Sequence, residues 1–284
     1  MAATSKKVRF FYFLFFLAAF IIVLPALFLY ATGYSIDEAF NLTRRGGVYL
    51  YVSESDVDVF IGDNFHTKTS LFEREVFVKN LEAGRHLVLV SHNDFWPWAK
   101  FVEVESGEVA ARFPLLVPKV MQFRELSKNS VEYSSASKLF LNPNSANSAN
   151  SAKVLAANPN LTATSTDEKL KIFAVGARVQ AEWLEATSTI PYYFCGPEDI
   201  NLRQNCLKNI TIFSGTSNIE TLNFYPGRDD AIMLTLGNGI YAAEIDSSPY
   251  HNVYPIFRGQ NPDLRIDGRT IYVKDNDYIA TAEI

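Results

Sequence analysis

Residues of the types used in catalysis show no spacing that establishes a common catalytic motif. Residues 237–242 read G-x-G-x-x-A, a dinucleotide-binding fingerprint. That fingerprint needs a following helix to present backbone amides to the pyrophosphate. Here Asn-Gly lies between two apolar runs, and only about six residues separate it from Asp246, a pattern typical of a β-hairpin. We therefore predict a hairpin at this position and no nucleotide site.

The histidines and carboxylates also favour structural roles. Four histidines share no metal-ligand spacing: His66, His86, His92 and His251. The run 275–277 (Asp-Asn-Asp) lacks the glycine and further oxygen ligands of a calcium loop, which predicts a solvated hairpin tip. We expect no metal, no cofactor and no enzymatic activity. A hydrolase stays open as an alternative if four carboxylates share one cleft: Asp229, Asp230, Asp263 and Asp267.

Cys195 and Cys206 are the only cysteines. Two cysteines exclude a four-cysteine zinc site and a disulfide-framework miniprotein. A bond between them would close a ring of 12 residues and contribute about 3 kcal/mol in the chain-entropy model. Such a bond is typical of an oxidising compartment outside the cytosol. The alternative is two unrelated thiols.

The composition limits the class of protein. The chain has 284 residues, of which 48% are hydrophobic and 20% charged, with a net charge of -5. This length predicts about two domains and allows a substantial core, which excludes disorder over the whole chain. The mild acidity argues against a nucleic-acid partner, because such binders normally carry a basic face.

Residues 10–31 predict a transmembrane helix. They contain no charged side chain, and at 1.5 Å per residue they span roughly 33 Å, close to the hydrocarbon core of a bilayer. Residues 1–9 carry three basic side chains and no acidic one, whereas Asp37 and Glu38 follow the span. The positive-inside rule therefore predicts a cytoplasmic tail over residues 1–9 and an extracytoplasmic remainder. The alternative is a cleaved signal peptide, whose apolar region would be shorter.

Residues 46–118 carry short β-strand patterns separated by turn residues. Val57, Val59 and Ile61 alternate with other side chains before the turn sequence Gly62-Asp63-Asn64. Strands of about five residues at intervals of 8–12 indicate a small antiparallel β-sandwich.

The order of these segments resembles the bacterial PEGA domain. Four pieces carry the resemblance, namely a strand with a Gly-Asp turn, L-x-A-G-x-H-x-V-x-V, an aromatic motif, and V-x-V-x-x-G-E: Val57–Asp63, Leu81–Val90, Asn93–Trp98 and Val102–Glu108. The chain lacks the Pro-Glu-Gly-Ala tetrapeptide and has Asp94-Phe95 where Gly-Tyr is usual. The resemblance implies a compact surface domain with a role in interaction, often next to a membrane anchor.

The tryptophans are the candidates for contact with a ligand. Trp96 and Trp98 lie in the cluster Phe95–Trp98, and Trp183 lies further along the chain. Exposed aromatic rings stack on sugars or anchor a protein partner. The alternative is that these rings close the core at the end of a sheet.

Residues 127–168 separate two β-rich regions. Ser, Asn and Ala dominate, with a triple Asn-Ser-Ala repeat at 144–152, which predicts a flexible linker. Residues 169–284 again alternate as strands, and Ile219–Lys274 resembles blades of a WD-type propeller. At about 40–45 residues a blade, this region makes fewer than three blades, whereas a closed propeller needs at least four. We expect an open, propeller-like stack or another small antiparallel fold, whose strand edges favour a partner or self-association.

The sequence thus predicts a mainly β protein with one N-terminal transmembrane helix. We expect a non-enzymatic binding or scaffold protein of the bacterial cell envelope. Its expected partners, besides the membrane, are cell-wall polysaccharide or another envelope protein. Two alternatives remain, an accessory or sensor subunit of an envelope transport or secretion complex, and an envelope hydrolase.

Overall fold

The structure is a computed structural model that describes residues 6–36, 41–141, 160–186, 189–196, 205–247 and 251–284. Its first element is helix α1, Lys6–Ala31, of which Val8–Ala31 is apolar on all sides, with a mean hydropathy of 2.7. None of this stretch is buried against the rest of the protein. The helix ends at Ala31, and Gly33 just beyond it adopts φ +82°, the left-handed conformation that commonly terminates helices. A single apolar helix of this length fits membrane anchoring.

Hydrogen bonds of Arg45 connect the end of α1 to the first β-domain. A short hairpin follows the helix, formed by β1, Tyr34–Ile36, and β2, Leu42–Arg44. The Arg45 backbone N–H donates to the Gly33 carbonyl at 2.9 Å. Its guanidinium donates to Ser35 Oγ at 2.6 Å and to the Asn80 carbonyl at 3.1 Å. The chain therefore returns to the helix end before it enters the sandwich.

Residues 46–112 form a two-sheet sandwich, as the strand spacing predicts. Its seven strands are β3, Gly46–Tyr51; β4, Asp58–Ile61; β5, Asn64–Lys68; β6, Glu75–Leu81; β7, Gly84–Ser91; β8, Trp98–Val104; and β9, Val109–Arg112. One sheet has the order β6-β3-β9 and the other β5-β4-β7-β8. Alternate side chains such as Val48, Leu50 and Val90 are fully buried between the sheets. Every pairing is antiparallel except β3 with β9, which is parallel.

The predicted linker is wrong at both ends. Strand β10, Arg124–Glu125, is followed by helix α2, Val131–Leu141. Ser130 caps this helix, because its Oγ accepts the Tyr133 backbone N–H at 3.0 Å. Strand β11, Asn160–Thr164, also falls inside the predicted linker. The Asn-Ser-Ala repeat lies outside the described residues.

The C-terminal region consists mainly of three four-stranded antiparallel sheets. The strands are β12, Leu170–Val175; β13, Arg178–Trp183; β14, Cys195–Gly196; β15, Asn205–Cys206; β16, Asn209–Ser214; β17, Ile219–Phe224; β18, Ala231–Leu236; β19, Gly239–Glu244; β20, Val253–Arg258; β21, Pro262–Asp267; β22, Thr270–Asp275; and β23, Tyr278–Glu283. A 3-10 helix, Tyr192–Phe194, precedes the small β14–β15 hairpin. We name the large sheets the first (β11-β12-β13-β16), second (β17-β18-β19-β20) and third (β21-β22-β23-β10) stack sheets.

The three stack sheets pack face to face, with the second in the middle. Ile232 and Leu234 of β18 belong to the core shared with the first stack sheet. Met233, between them, belongs to the core shared with Leu264 and Val273 of the third. The expectation of fewer than three blade-sized sheets is therefore wrong, because the region begins at β11 and the third sheet includes β10 from before α2.

The two outer faces of the three stack sheets are covered by a helix on one side and polar on the other. Helix α2 covers the outer face of the third stack sheet, where Ala136 and Phe140 pack with Ile279. The outer face of the first stack sheet carries Lys171 and Glu182, whose charged atoms are 3.8 Å apart. A polar outer face is how terminal units of stacked repeats stay soluble.

Candidate functional site

A buried polar cluster joins the sandwich to the second stack sheet. We call it the seam and define it by five residues: Trp98, Lys100, Glu244, Asp246 and Asn252. Trp98 and Lys100 occupy inward-pointing positions of β8, and Glu244 is the last residue of β19. The side chain of Lys100 is only 6% exposed and that of Glu244 only 9%. Burial of this kind is rare for charged residues unless they are paired.

Every group in the seam has a partner. Lys100 Nζ lies 3.3 Å from Glu244 Oε2 and also pairs with Asp246. Glu244 accepts hydrogen bonds from Trp98 Nε1 at 2.7 Å and from Asn252 Nδ2 at 3.1 Å. The backbone N–H of Leu115 donates to the same carboxylate at 3.3 Å. Because the buried charges are paired and hydrogen-bonded, removing one partner is expected to be costly.

Burial dominates the electrostatics of the seam. It raises the pKa of the Glu244 carboxyl above its ordinary value, and Lys100 and the hydrogen bonds of Asn252 and Trp98 oppose the shift. Burial and the Lys100 charge lower the pKa of His251, with Asp246 opposing. Perturbed groups of this kind occur in active sites and in structural ion-pair networks. Here protein groups surround the carboxylate, so the arrangement is suited to fixing one domain against the other.

A second set of contacts reinforces the seam. Arg228 forms a bidentate pair with Asp230, with both distances 2.7 Å. The same guanidinium donates to the carbonyl of Pro114, which follows the last strand of the sandwich, at 3.2 Å. The Tyr254 hydroxyl donates to the Pro97 carbonyl at 3.1 Å. These contacts bring chain segments more than 100 positions apart into one unit.

Two of the three predicted contact tryptophans are buried. Trp98 is 3% exposed and Trp183 is 8% exposed. Trp96 is half-buried against the core between the second and third stack sheets. The prediction is wrong for Trp98 and Trp183, because both lie at inward positions of alternating strands, where large rings fill the core.

Cys195 and Cys206, the predicted pair, form a disulfide. Their Cα atoms are 3.9 Å apart, and they face each other across the two-stranded β14–β15 hairpin. Residues 197–204 of the enclosed loop lie outside the described residues. The bond ties this hairpin beside Phe194, which is fully buried in the core of the first and second stack sheets.

The four carboxylates of the hydrolase alternative lie on two elements. Asp229 and Asp230 share the turn before β18, whereas Asp263 and Asp267 are near opposite ends of β21. Asp230 is paired with Arg228, and Arg265 Nη1 lies 2.6 Å from Asp263. Among the described residues, no group of three or more His, Cys, Asp or Glu side chains is arranged to hold a metal.

The G-x-G-x-x-A segment is the predicted hairpin. β18 and β19 pair directly from Leu236 with Gly239, so Gly237 and Asn238 form a two-residue loop. Gly237 adopts φ +56°, a conformation that this turn requires and that glycine adopts without strain. A strand, β19, follows the loop in place of the helix that a dinucleotide site needs.

Exposed aromatic rings lie instead on the outer face of the β6-β3-β9 sheet. Tyr51 and Phe77 are 41% and 46% exposed, and Tyr49 lies directly across from Phe77. We call Tyr49, Tyr51 and Phe77 the aromatic face. A solvated sheet face is normally polar, so an aromatic one indicates a contact surface. The alternation in Val48-Tyr49-Leu50-Tyr51 was the sequence signal for it.

Comparisons with known proteins add little. No known protein family matches the sequence, and no curated protein matches it. One solved structure to which the chain is similar is a Bacteroides fragilis protein of unknown function, provisionally described as membrane-associated. The two are 12% identical, and the match covers 84% of this chain and 98% of that one with a TM-score of 0.19. At that score the similarity carries no argument.

Proposed function

We propose that this chain is a membrane-anchored, extracytoplasmic binding or scaffold protein of the bacterial cell envelope. Helix α1 supplies the anchor, since an apolar helix of 24 residues, Val8–Ala31, is long enough to span a bilayer. The basic residues before it and the acidic residues after it favour a cytoplasmic N-terminus.

The observation that carries the proposal is the disulfide between Cys195 and Cys206. Structural disulfides persist in oxidising compartments and are rare in the cytosol. The disulfide lies C-terminal to α1. If α1 crosses the membrane once and the disulfide lies in an oxidising compartment outside the cytosol, the N-terminus lies in the cytoplasm. The flanking charges favour the same orientation.

Two structural features support a scaffold role. Arg45 fixes the helix end to the sandwich, and the seam fixes the sandwich to the second stack sheet, so the parts form a continuous framework. The aromatic face is available for contact with an envelope partner. Aromatic rings of this kind stack on sugars or anchor proteins, which fits wall polysaccharide or an envelope protein as the partner.

A binding experiment tests the proposal. The full-length protein in nanodiscs would be sedimented with purified insoluble wall polymer, and in parallel cross-linked in envelope fractions. We expect binding to one of the two, and a loss of at least about tenfold in the Tyr49→Ser/Tyr51→Ser variant. The matched control is Phe173→Ser, another partly exposed ring in a strand on the first stack sheet, which should bind like the wild type.

Three outcomes have distinct meanings. Binding to wall polymer or specific cross-linking to a surface protein supports the proposal. Specific cross-linking to a multi-span membrane protein would favour an accessory subunit of a transport or secretion complex. Absence of both from the wild type contradicts the binding role.

A further inference from the structure

Strand β6, Glu75–Leu81, is an open edge of the sandwich. It is the outermost strand of the β6-β3-β9 sheet, and no strand among the described residues pairs with its outer side. Val76 and Val78 are buried while Phe77, between them, is 46% exposed. Open edges of this length are usually blocked, as β20 is by Pro255. β6 contains no proline.

The backbone of β6 directs hydrogen-bonding groups to the open side. The Val52 N–H donates to the Arg74 carbonyl at 2.9 Å, so these two residues form a hydrogen-bonded pair. In an antiparallel ladder such pairs alternate, and the register places Val76 and Val78 as the next hydrogen-bonded partners of β3. The N–H and C=O groups of Glu75, Phe77 and Lys79 therefore point away from β3.

The charges along this edge would be complementary between two copies of β6 paired antiparallel. Glu75 and Lys79 lie two residues on either side of Phe77. If β6 pairs antiparallel with β6 of a second copy around Phe77, each Glu75 faces a Lys79 of the other copy. Opposite charges directly across an antiparallel pair stabilise it, and like charges destabilise it.

We propose that β6 is a homodimer interface that joins two copies of this chain into a continuous six-stranded sheet. Phe77 lies on the two-fold axis, as an isologous interface requires of one central position. That axis is perpendicular to the plane of the sheet, so both anchors enter the same bilayer when the sheet lies parallel to the membrane surface. Confinement by the anchors raises the effective concentration of the copies.

A cysteine cross-link tests the register. In Phe77→Cys the two new thiols face each other, with Cα atoms about 5.5 Å apart, a distance at which disulfides form. The matched control Lys79→Cys places its two thiols about 13 Å apart along the strands. The full-length chain in detergent should give a covalent dimer on a non-reducing gel with Phe77→Cys and remain a monomer with Lys79→Cys. Unchanged melting temperatures would show that both variants fold.

A charge exchange tests the complementarity. Glu75→Lys and Lys79→Glu each place like charges across the interface, and each should raise the dimer dissociation constant at least about tenfold. The double variant restores opposite charges and should return to within about threefold of wild type. Dissociation constants would be measured by fluorescence energy transfer in detergent.

Several results would overturn the interface. They are a wild type that stays monomeric at every concentration, equal cross-linking at positions 77 and 79, or a double variant as weak as the single ones. These measurements are made in detergent and do not depend on membrane topology. Their failure would leave the proposed location and anchoring untouched.

Discussion

Replacing Lys100 with methionine tests whether charge holds the seam together. Methionine keeps an unbranched apolar side chain but removes the ammonium that lies 3.3 Å from Glu244. Asp246 is 20% exposed and keeps contact with water, whereas Glu244 stays buried without its counter-charge. The loss in the free energy of unfolding has an upper limit, because Glu244 can take up a proton and become neutral.

The free energy needed to protonate Glu244 sets the largest loss of stability expected from Lys100→Met and the way this loss depends on pH. Each pH unit above the ordinary glutamate pKa of about 4.3 costs about 1.4 kcal/mol of protonation free energy. The ceiling is therefore about 3.7 kcal/mol at pH 7 and about 1 kcal/mol at pH 5. Burial already raises the pKa of Glu244, and loss of Lys100 raises it further. A raised carboxyl pKa contributes stability below the unfolded pKa, and this contribution is lost as pH rises through the folded pKa.

We therefore expect Lys100→Met to lose about 3 kcal/mol at pH 7 and about 1 kcal/mol or less at pH 5. Urea unfolding of the full-length protein in detergent, followed by tryptophan fluorescence between pH 5 and 8, measures this. Adding Glu244→Gln to Lys100→Met should make the loss of stability nearly independent of pH. Arg124→Met removes an exposed ion pair with Glu132 and should cost less than about 1 kcal/mol. An equal loss at pH 5 and pH 7 would refute the reasoning.

Two further predictions concern the stack sheets. Cys195→Ser/Cys206→Ser should lower the free energy of unfolding by about 3 kcal/mol, measured by urea titration, because the 12-residue ring no longer restricts the unfolded chain; an unchanged midpoint would count against this. Burial raises the pKa of Tyr225 to about 12, so the stability it contributes below its unfolded pKa of about 10 is lost as pH rises through about 12. In an alkaline absorbance titration, Tyr225→Phe should lose the absorbance of one tyrosine from the step near pH 12 and none from the step near pH 10; a difference from the wild type that appears near pH 10 would contradict this.

Features set by neighbouring residues could be predicted from the sequence. Helix α1 follows from an uninterrupted apolar run, and the strands of the sandwich follow from alternation of polar and apolar side chains. The β18–β19 hairpin follows from Gly237-Asn238-Gly239, because few residues other than glycine and asparagine fit such a turn. The Cys195–Cys206 pairing follows from two cysteines in one short loop.

Features set by distant residues could not be predicted in the same way. Trp98 and Glu244 are 146 positions apart, and no local pattern relates them. One signal was present, since Lys100 occupies an inward position between Trp98 and Val102 and must therefore meet a buried partner. The same alternation would have placed Trp98 in the core. Helix α2 was obscured because its Ser and Ala residues resemble those of the adjoining repeat.

The side of the membrane on which the β-domains lie is tested most directly by thiol labelling of intact cells. After mild reduction, a membrane-impermeant maleimide should label the wild type at Cys195 and Cys206 without lysis, and should not label Cys195→Ser/Cys206→Ser. The labelled protein should remain in the membrane pellet after alkaline carbonate extraction. Labelling that appears only after lysis, or a full-length protein that stays soluble without detergent, would contradict an anchored extracytoplasmic protein.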